Sequence, residues 1–136
     1  MTAKELMIGD WVLDKNVSDK PVQVLQINDK NVYYKHGTGY MSAGVELLEP
    51  IPLTAEFFDR NGWHRIDSEK YGKRYGLYDD YYEMTAHEFN DGMWRVEYDC
   101  IEMGGIPIEC VNVGWVHEFQ HFLGHCAVDT EIKWED

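Results

Sequence analysis

The chain is short of cysteine, short of positive charge and without a long apolar run. Its three cysteines, Cys100, Cys110 and Cys126, are odd in number and show no Cys-x-x-Cys spacing. That usage fits a reducing cytoplasm better than a secreted disulfide scaffold. No stretch approaches the ~18 apolar residues of a membrane span. Met1-Thr2-Ala3-Lys4-Glu5 has no apolar run behind a basic start, so neither a secretory signal nor membrane insertion is expected. Lysine and arginine number 12 against 25 aspartates and glutamates, a net charge of −13 that opposes non-specific binding to nucleic acid or anionic lipid. No serine or cysteine sits in a nucleophile context. Gly37-Thr38-Gly39 is too short for a phosphate-binding loop and lacks the strand-to-helix setting.

What is present is ample core material. Hydrophobic residues make up 44% of 136 residues and aromatics 14%, enough for one domain, or two very small ones, without disulfides or metal. The expected fold class is α+β: a small N-terminal SH3-like β-barrel unit, then a helix, an antiparallel meander sheet and a packed C-terminal helix. In residues 1–49, Asp10 to Asp14 and Pro21 to Ile27 alternate with a period of two, as half-buried strands do. Asn28-Asp29-Lys30-Asn31 reads as a turn into a third strand at Val32-Tyr33-Tyr34. Gly37, Gly39 and Gly44 loosen the next connection, and Val45 to Leu48 reads as a fourth short strand. Short strands joined by tight turns point to the barrel.

Pro50-Ile51-Pro52 marks the boundary to a second region, residues 50–136. Thr54 stands where a helix N-cap belongs, which predicts a helix over 54–61 stopped by Gly62. Residues 63–80, rich in Tyr, Gly and charge, read as a long loop or an irregular strand pair. Strands follow at about 81–89, 93–103 and 106–112, with turns at Asn90-Asp91-Gly92 and Gly104-Gly105. A hairpin centred on 104 and 105 leaves Cys100 and Cys110 one residue out of register, on opposite faces. A helix over 114–126 closes the region, with Trp115, Val116, Phe119, Phe122, Leu123 and Cys126 forming one apolar stripe. At ~100° per residue, His117, Gln120, His121 and Gly124 fall opposite that stripe, toward solvent. Val128 to Trp134 reads as a terminal strand.

The closing helix contains His117-Glu118-Phe119-Gln120-His121, a literal His-Glu-x-x-His. Two imidazoles four apart on a helix can reach one zinc, and the intervening Glu can deprotonate a bound water. On that reading His117 and His121 are metal ligands, with His125 extending the row, and Glu118 is the catalytic base. The spacing argues against it. Only fifteen residues follow His121, Ala127 stands where the metzincin pattern puts its third ligand, and none of Asp129, Glu131, Glu135 and Asp136 has a recognised spacing. A third ligand would have to come from His87, His125 or Asp129.

Ile8-Gly9-Asp10-Trp11-Val12, Pro50-Ile51-Pro52-Leu53-Thr54, Asn61-Gly62-Trp63 and Val116-His117-Glu118-Phe119-Gln120 together resemble a family of small bacterial proteins of unknown function. In that family the late helix carries Val-His-x-Leu-Gln, with Phe119 here in place of leucine. The resemblance implies that His117 and Gln120 are the family feature and that Glu118 and His121 are incidental. It carries no activity.

The leading expectation is therefore a cytoplasmic, non-enzymatic binding or adaptor module with no cofactor and a protein or small-molecule partner. Its contact surface combines Trp63, Tyr71, Tyr75 and Tyr78 of the Tyr-rich segment with Gln120 on the polar helix face. The competing reading is a minimal zinc hydrolase. A third places nucleic acid on Arg60, Arg65, Lys70, Lys73 and Arg74, interleaved with Trp63, Tyr71 and Tyr75.

Overall fold

A computed structural model describes residues 1–67, 69, 72–101, 107–129 and 131–134, with backbone only at 107 and 108. The class is α+β: two antiparallel sheets, of four and five strands, and two α-helices. The chain divides into two compact units, the first Met1–Pro52 with Trp115–Gln120, the second Leu53–Gly114 with His121–Asp136.

In the first unit β1 (Trp11–Val12), β2 (Val22–Asn28), β3 (Asn31–His36) and β4 (Gly39–Gly44) pair in chain order. Alternation decides which residues are buried. Val12, Val22, Val24, Val32, Tyr34 and Ala43 share the inner face and pack with Leu6, Val45 and Leu48. Leu25 is an extra residue on β2, because Val24 faces Tyr34 while Gln26 faces Tyr33. Such a bulge re-aims its side chain, and Leu25 is exposed. Gly37, with φ of 60°, opens the two-residue turn between β3 and β4.

Two expectations for this unit are corrected. The fourth strand is Gly39–Gly44, and Val45–Leu47 is a 3-10 turn. Of the glycines read as a loose connection, Gly37 lies in the turn and Gly39 and Gly44 sit at the two ends of a strand, where they leave the ladder intact. The described strands also form an open sheet, with no closed barrel among them. After the 3-10 turn the chain returns to β1, where Leu13 and Glu49 exchange backbone hydrogen bonds of 2.9 and 2.8 Å.

The second unit begins with α1 (Ala55–Arg60), where the Thr54 hydroxyl accepts the Phe57 N–H as foreseen. Its sheet runs β5 (His64–Arg65), β6 (Arg74–Tyr78), β7 (Tyr82–Asn90), β8 (Met93–Cys100) and β9 (Pro107–Val113), a five-stranded meander rather than a three-stranded one. Gly76 within the strand and Lys73-Arg74 at its start hide the alternation of β6 in the sequence. Phe58 sits at the core, its ring 4.8 Å from Trp94, 5.1 Å from Trp63 and stacked at 5.3 Å on Tyr75. Trp94 completes its burial by donating Nε1–H to Leu53 O at 3.0 Å.

The 104–105 turn lies outside the described residues. The register around it is Glu97 opposite Cys110, so Cys100 and Cys110 stand further apart than a turn there would place them. The terminal strand expected over 128–134 does not form among the described residues. The Asn61 amide takes its place, accepting from Lys133 N at 2.7 Å and donating to Lys133 O at 3.1 Å.

The last helix, α2, spans Val116–His125. It ends where Ala127 adopts a left-handed φ of 57°, with Ala127 N donating to Gly124 O and Val128 N to Leu123 O. Those two bonds form the capping motif usually reserved for glycine.

Candidate functional site

The His-Glu-x-x-His segment begins the last helix. Val116 N donates to Ile51 O at 2.9 Å, fixing the helix start. Glu118 reaches back, and its Oε1 accepts the Trp115 N–H at 3.2 Å. This is half of a capping box, a carboxylate at the third helical position answering an orphan donor. His117 is buried, at 4% exposure, which corrects the expectation of a solvent-facing histidine row. Gln120, one turn on, is bound to the segment leading into β1, accepting from Trp11 N at 2.9 Å and donating to Gly9 O at 2.9 Å. Gln120 is thus engaged within its own unit rather than offered to a partner. His121 is partly buried. His125 is exposed, with Nε2 3.6 Å from Glu109. Among the described residues, no three His, Cys, Asp or Glu side chains converge as a metal site would require.

The aromatic surface is also redrawn. Trp63 and Tyr75 are buried, at 7% and 0% exposure, because both pack on Phe58. Tyr78 remains exposed, its ring stacked 6.1 Å from His64. Tyr71 and Lys70 lie outside the described residues. Of the basic segment, Arg65 is held by Asp67 at 2.6 Å.

The outer face of the second sheet is a charged mosaic. Arg74, His87, Arg95 and Asn112 form one cross-strand row, and Arg95 donates to Glu97 at 3.0 Å and to Cys110 Sγ at 3.2 Å. Burial pushes the His87 pKa down. Burial, then the carboxylates of Glu97 and Glu83, pushes that of Asp99 up. In the first unit Asp14 is buried, and the Tyr34 hydroxyl donates to its Oδ2 at 2.6 Å. Burial and this bond push the Tyr34 pKa up to about 12.

One feature has no signature in the local sequence pattern, an open cleft of about 370 Å³ in the first unit, lined by Trp11, Pro21, Val22, Gln23, Leu25, Lys35 and Gly37. Trp11 and Gln23 are paired on the outer face, and the bulge turns Leu25 into the cleft mouth. Its lining combines an indole, a proline ring and a leucine with one amide and one ammonium group, and contains no carboxylate. Residues 1–52 hold five lysines against seven carboxylates, so most of the negative charge lies elsewhere in the sequence.

Compared with known proteins, the chain matches no family model, no curated protein and no solved structure.

Proposed function

We propose that the protein is a non-enzymatic, cytoplasmic binding module whose first unit is an SH3-like barrel left open at one edge. The strand connectivity supports that reading: a meander of four strands, a 3-10 turn, and a return of Glu49 to the far side of β1. The observation that carries the function is the cleft. Its apolar walls, Trp11, Pro21 and Leu25, suit apolar side chains, Gln23 suits a peptide group, and Lys35 suits a carboxylate. The ligand class is a short extended peptide carrying an acidic residue beside apolar ones. A lone lysine in a carboxylate-free cleft of a chain charged −13 selects against basic peptides by the absence of a counter-charge.

The test is selection of the immobilised full chain against random octapeptides, repeated with Leu25→Asp and Lys35→Glu. Enrichment of acidic-apolar sequences by the wild type, lost in Leu25→Asp and turned toward basic peptides in Lys35→Glu, is expected. No enrichment, or enrichment that Leu25→Asp retains, sinks the proposal. Leu25 is an exposed bulge residue, so its substitution leaves the core untouched.

A further inference from the structure

The four-stranded sheet ends in an edge that carries none of the usual protections. Gly39-Tyr40-Met41-Ser42-Ala43-Gly44 has no charge, no proline and no bulge, and among the described residues it pairs with β3 alone. Tyr40 and Met41 are exposed, at 75% and 37%. Exposed edges are normally blunted by lysine, proline or irregularity, because their free N–H and C=O groups template another strand.

The register fixes which groups are free. Val45 N donates to Lys30 O at 2.8 Å, and antiparallel bonding alternates along a strand. Residues 43, 41 and 39 therefore bond toward β3, whereas Gly44, Ser42 and Tyr40 direct their backbone groups outward. On the outer face Tyr40 lies opposite Lys35 at one end of β4. At the other end the Glu46 carboxylate fills the space a Cβ on Gly44 would occupy. One end of the edge is thus cationic and the other anionic. Neither Lys35 nor Glu46 has an ion-pair partner among the described residues.

We infer that β4 pairs antiparallel with β4 of a second copy of this chain, about a two-fold axis through Ser42. That axis sets Ser42 against Ser42 and Tyr40 against Gly44 of the other copy, so every outward-facing backbone group meets another. Tyr40 covers the opposing glycine, and Lys35, beside Tyr40, faces the other copy's Glu46 over it. The two-fold repeats this ion pair. An uncharged strand meets itself without like-charge contact, and the charged ends complement each other only in the antiparallel sense. A pairing of one strand per copy is a small interface, so the dimer is weak and concentration-dependent.

Sedimentation equilibrium of the full chain tests this at ~0.15 M salt, where exposed charges are screened beyond ~8 Å. The range from ~10 μM to ~1 mM spans the affinities small interfaces give. The expected result is a monomer–dimer equilibrium. Ser42→Pro removes an outward N–H without touching the bonds to β3, and weakens association at least ~10-fold. Lys35→Glu and Glu46→Lys each weaken it ~10-fold, the effect of two exposed ion pairs, and the double exchange recovers it to within ~3-fold of wild type. The charge exchange decides the matter if Ser42→Pro fails to fold. A wild type that stays monomeric at ~1 mM overturns the inference and leaves the edge to an extended segment of another protein. A dimer indifferent to these substitutions overturns it equally.

Discussion

Gln120 holds the backbone at Trp11 from both sides of the peptide, accepting the Trp11 N–H at 2.9 Å and donating to Gly9 O at 2.9 Å. Residues 109 and 111 positions apart in sequence are thereby joined by one amide. The Gly-Asp-Trp start of the first strand and the His-x-x-Gln turn of the last helix are two halves of one contact. Gly9 requires a positive φ of 97° here, and its carbonyl also accepts from Gln23 at 3.0 Å.

Both halves of the amide matter, so Gln120→Glu is more informative than Gln120→Ala. Alanine deletes two part-buried hydrogen bonds and costs about 2–3 kcal/mol. Glutamate retains the acceptor for Trp11 N but sets a carboxylate oxygen against the Gly9 carbonyl, and costs at least as much at neutral pH. Urea unfolding of the two variants measures this. A Gln120→Glu protein as stable as wild type would show that the donor is idle.

Glu118→Ala should cost about 0.5–1 kcal/mol, the loss of a first-turn carboxylate on an orphan N–H. Glu118→Gln keeps an acceptor and should cost less. Thermal unfolding of the pair distinguishes a cap from a residue without structural role, for which both changes would be neutral.

Ala127 occupies a left-handed conformation that favours glycine. Ala127→Gly should raise stability by about 0.5–1 kcal/mol, because the relief of φ strain outweighs the added chain entropy. Chemical denaturation reads the gain directly. A loss would mean that the alanine methyl makes contacts worth more than the strain.

Tyr34 and Asp14 predict an alkaline limit. The phenol keeps its proton to a pKa of about 12 when folded, against 10.0 for the free group. A raised folded pKa gives stability that is complete below pH 10 and is lost as pH rises through 12. Tyr34→Phe removes this sensitivity, and by taking the donor from a buried carboxylate it costs about 1–3 kcal/mol at neutral pH. Denaturation midpoints at about pH 9, 11 and 12, roughly spanning the window, should converge for the two proteins as pH rises.

Legibility in the sequence followed the period of the local pattern. Thr54, Phe57 and Phe58 announced α1, and Asn90-Asp91-Gly92 announced the β7–β8 turn, because capping and turn chemistry are short-range. β6 escaped notice since Gly76 replaces a side chain on one face and Tyr75 reads as polar until it stacks on Phe58. The helical wheel set His117 and Gln120 opposite an apolar stripe that included Trp115, yet His117 is buried and Trp115 exposed. It could not reveal this burial, or that Gln120 is held by a strand start more than a hundred residues earlier. The cleft was invisible for the same reason, as Trp11, Leu25 and Lys35 come from three strands and meet only through their register.

Asn61 binds Phe57 O at the end of α1 with the same Nδ2 that reaches Lys133 O. The close of the first helix and the last described stretch of chain therefore share a single latch. Neither can fray alone, and the amide proton of Lys133 should exchange with solvent at the rate at which α1 loses its final turn, making one peptide group a clock for the opening of a helix 72 residues away.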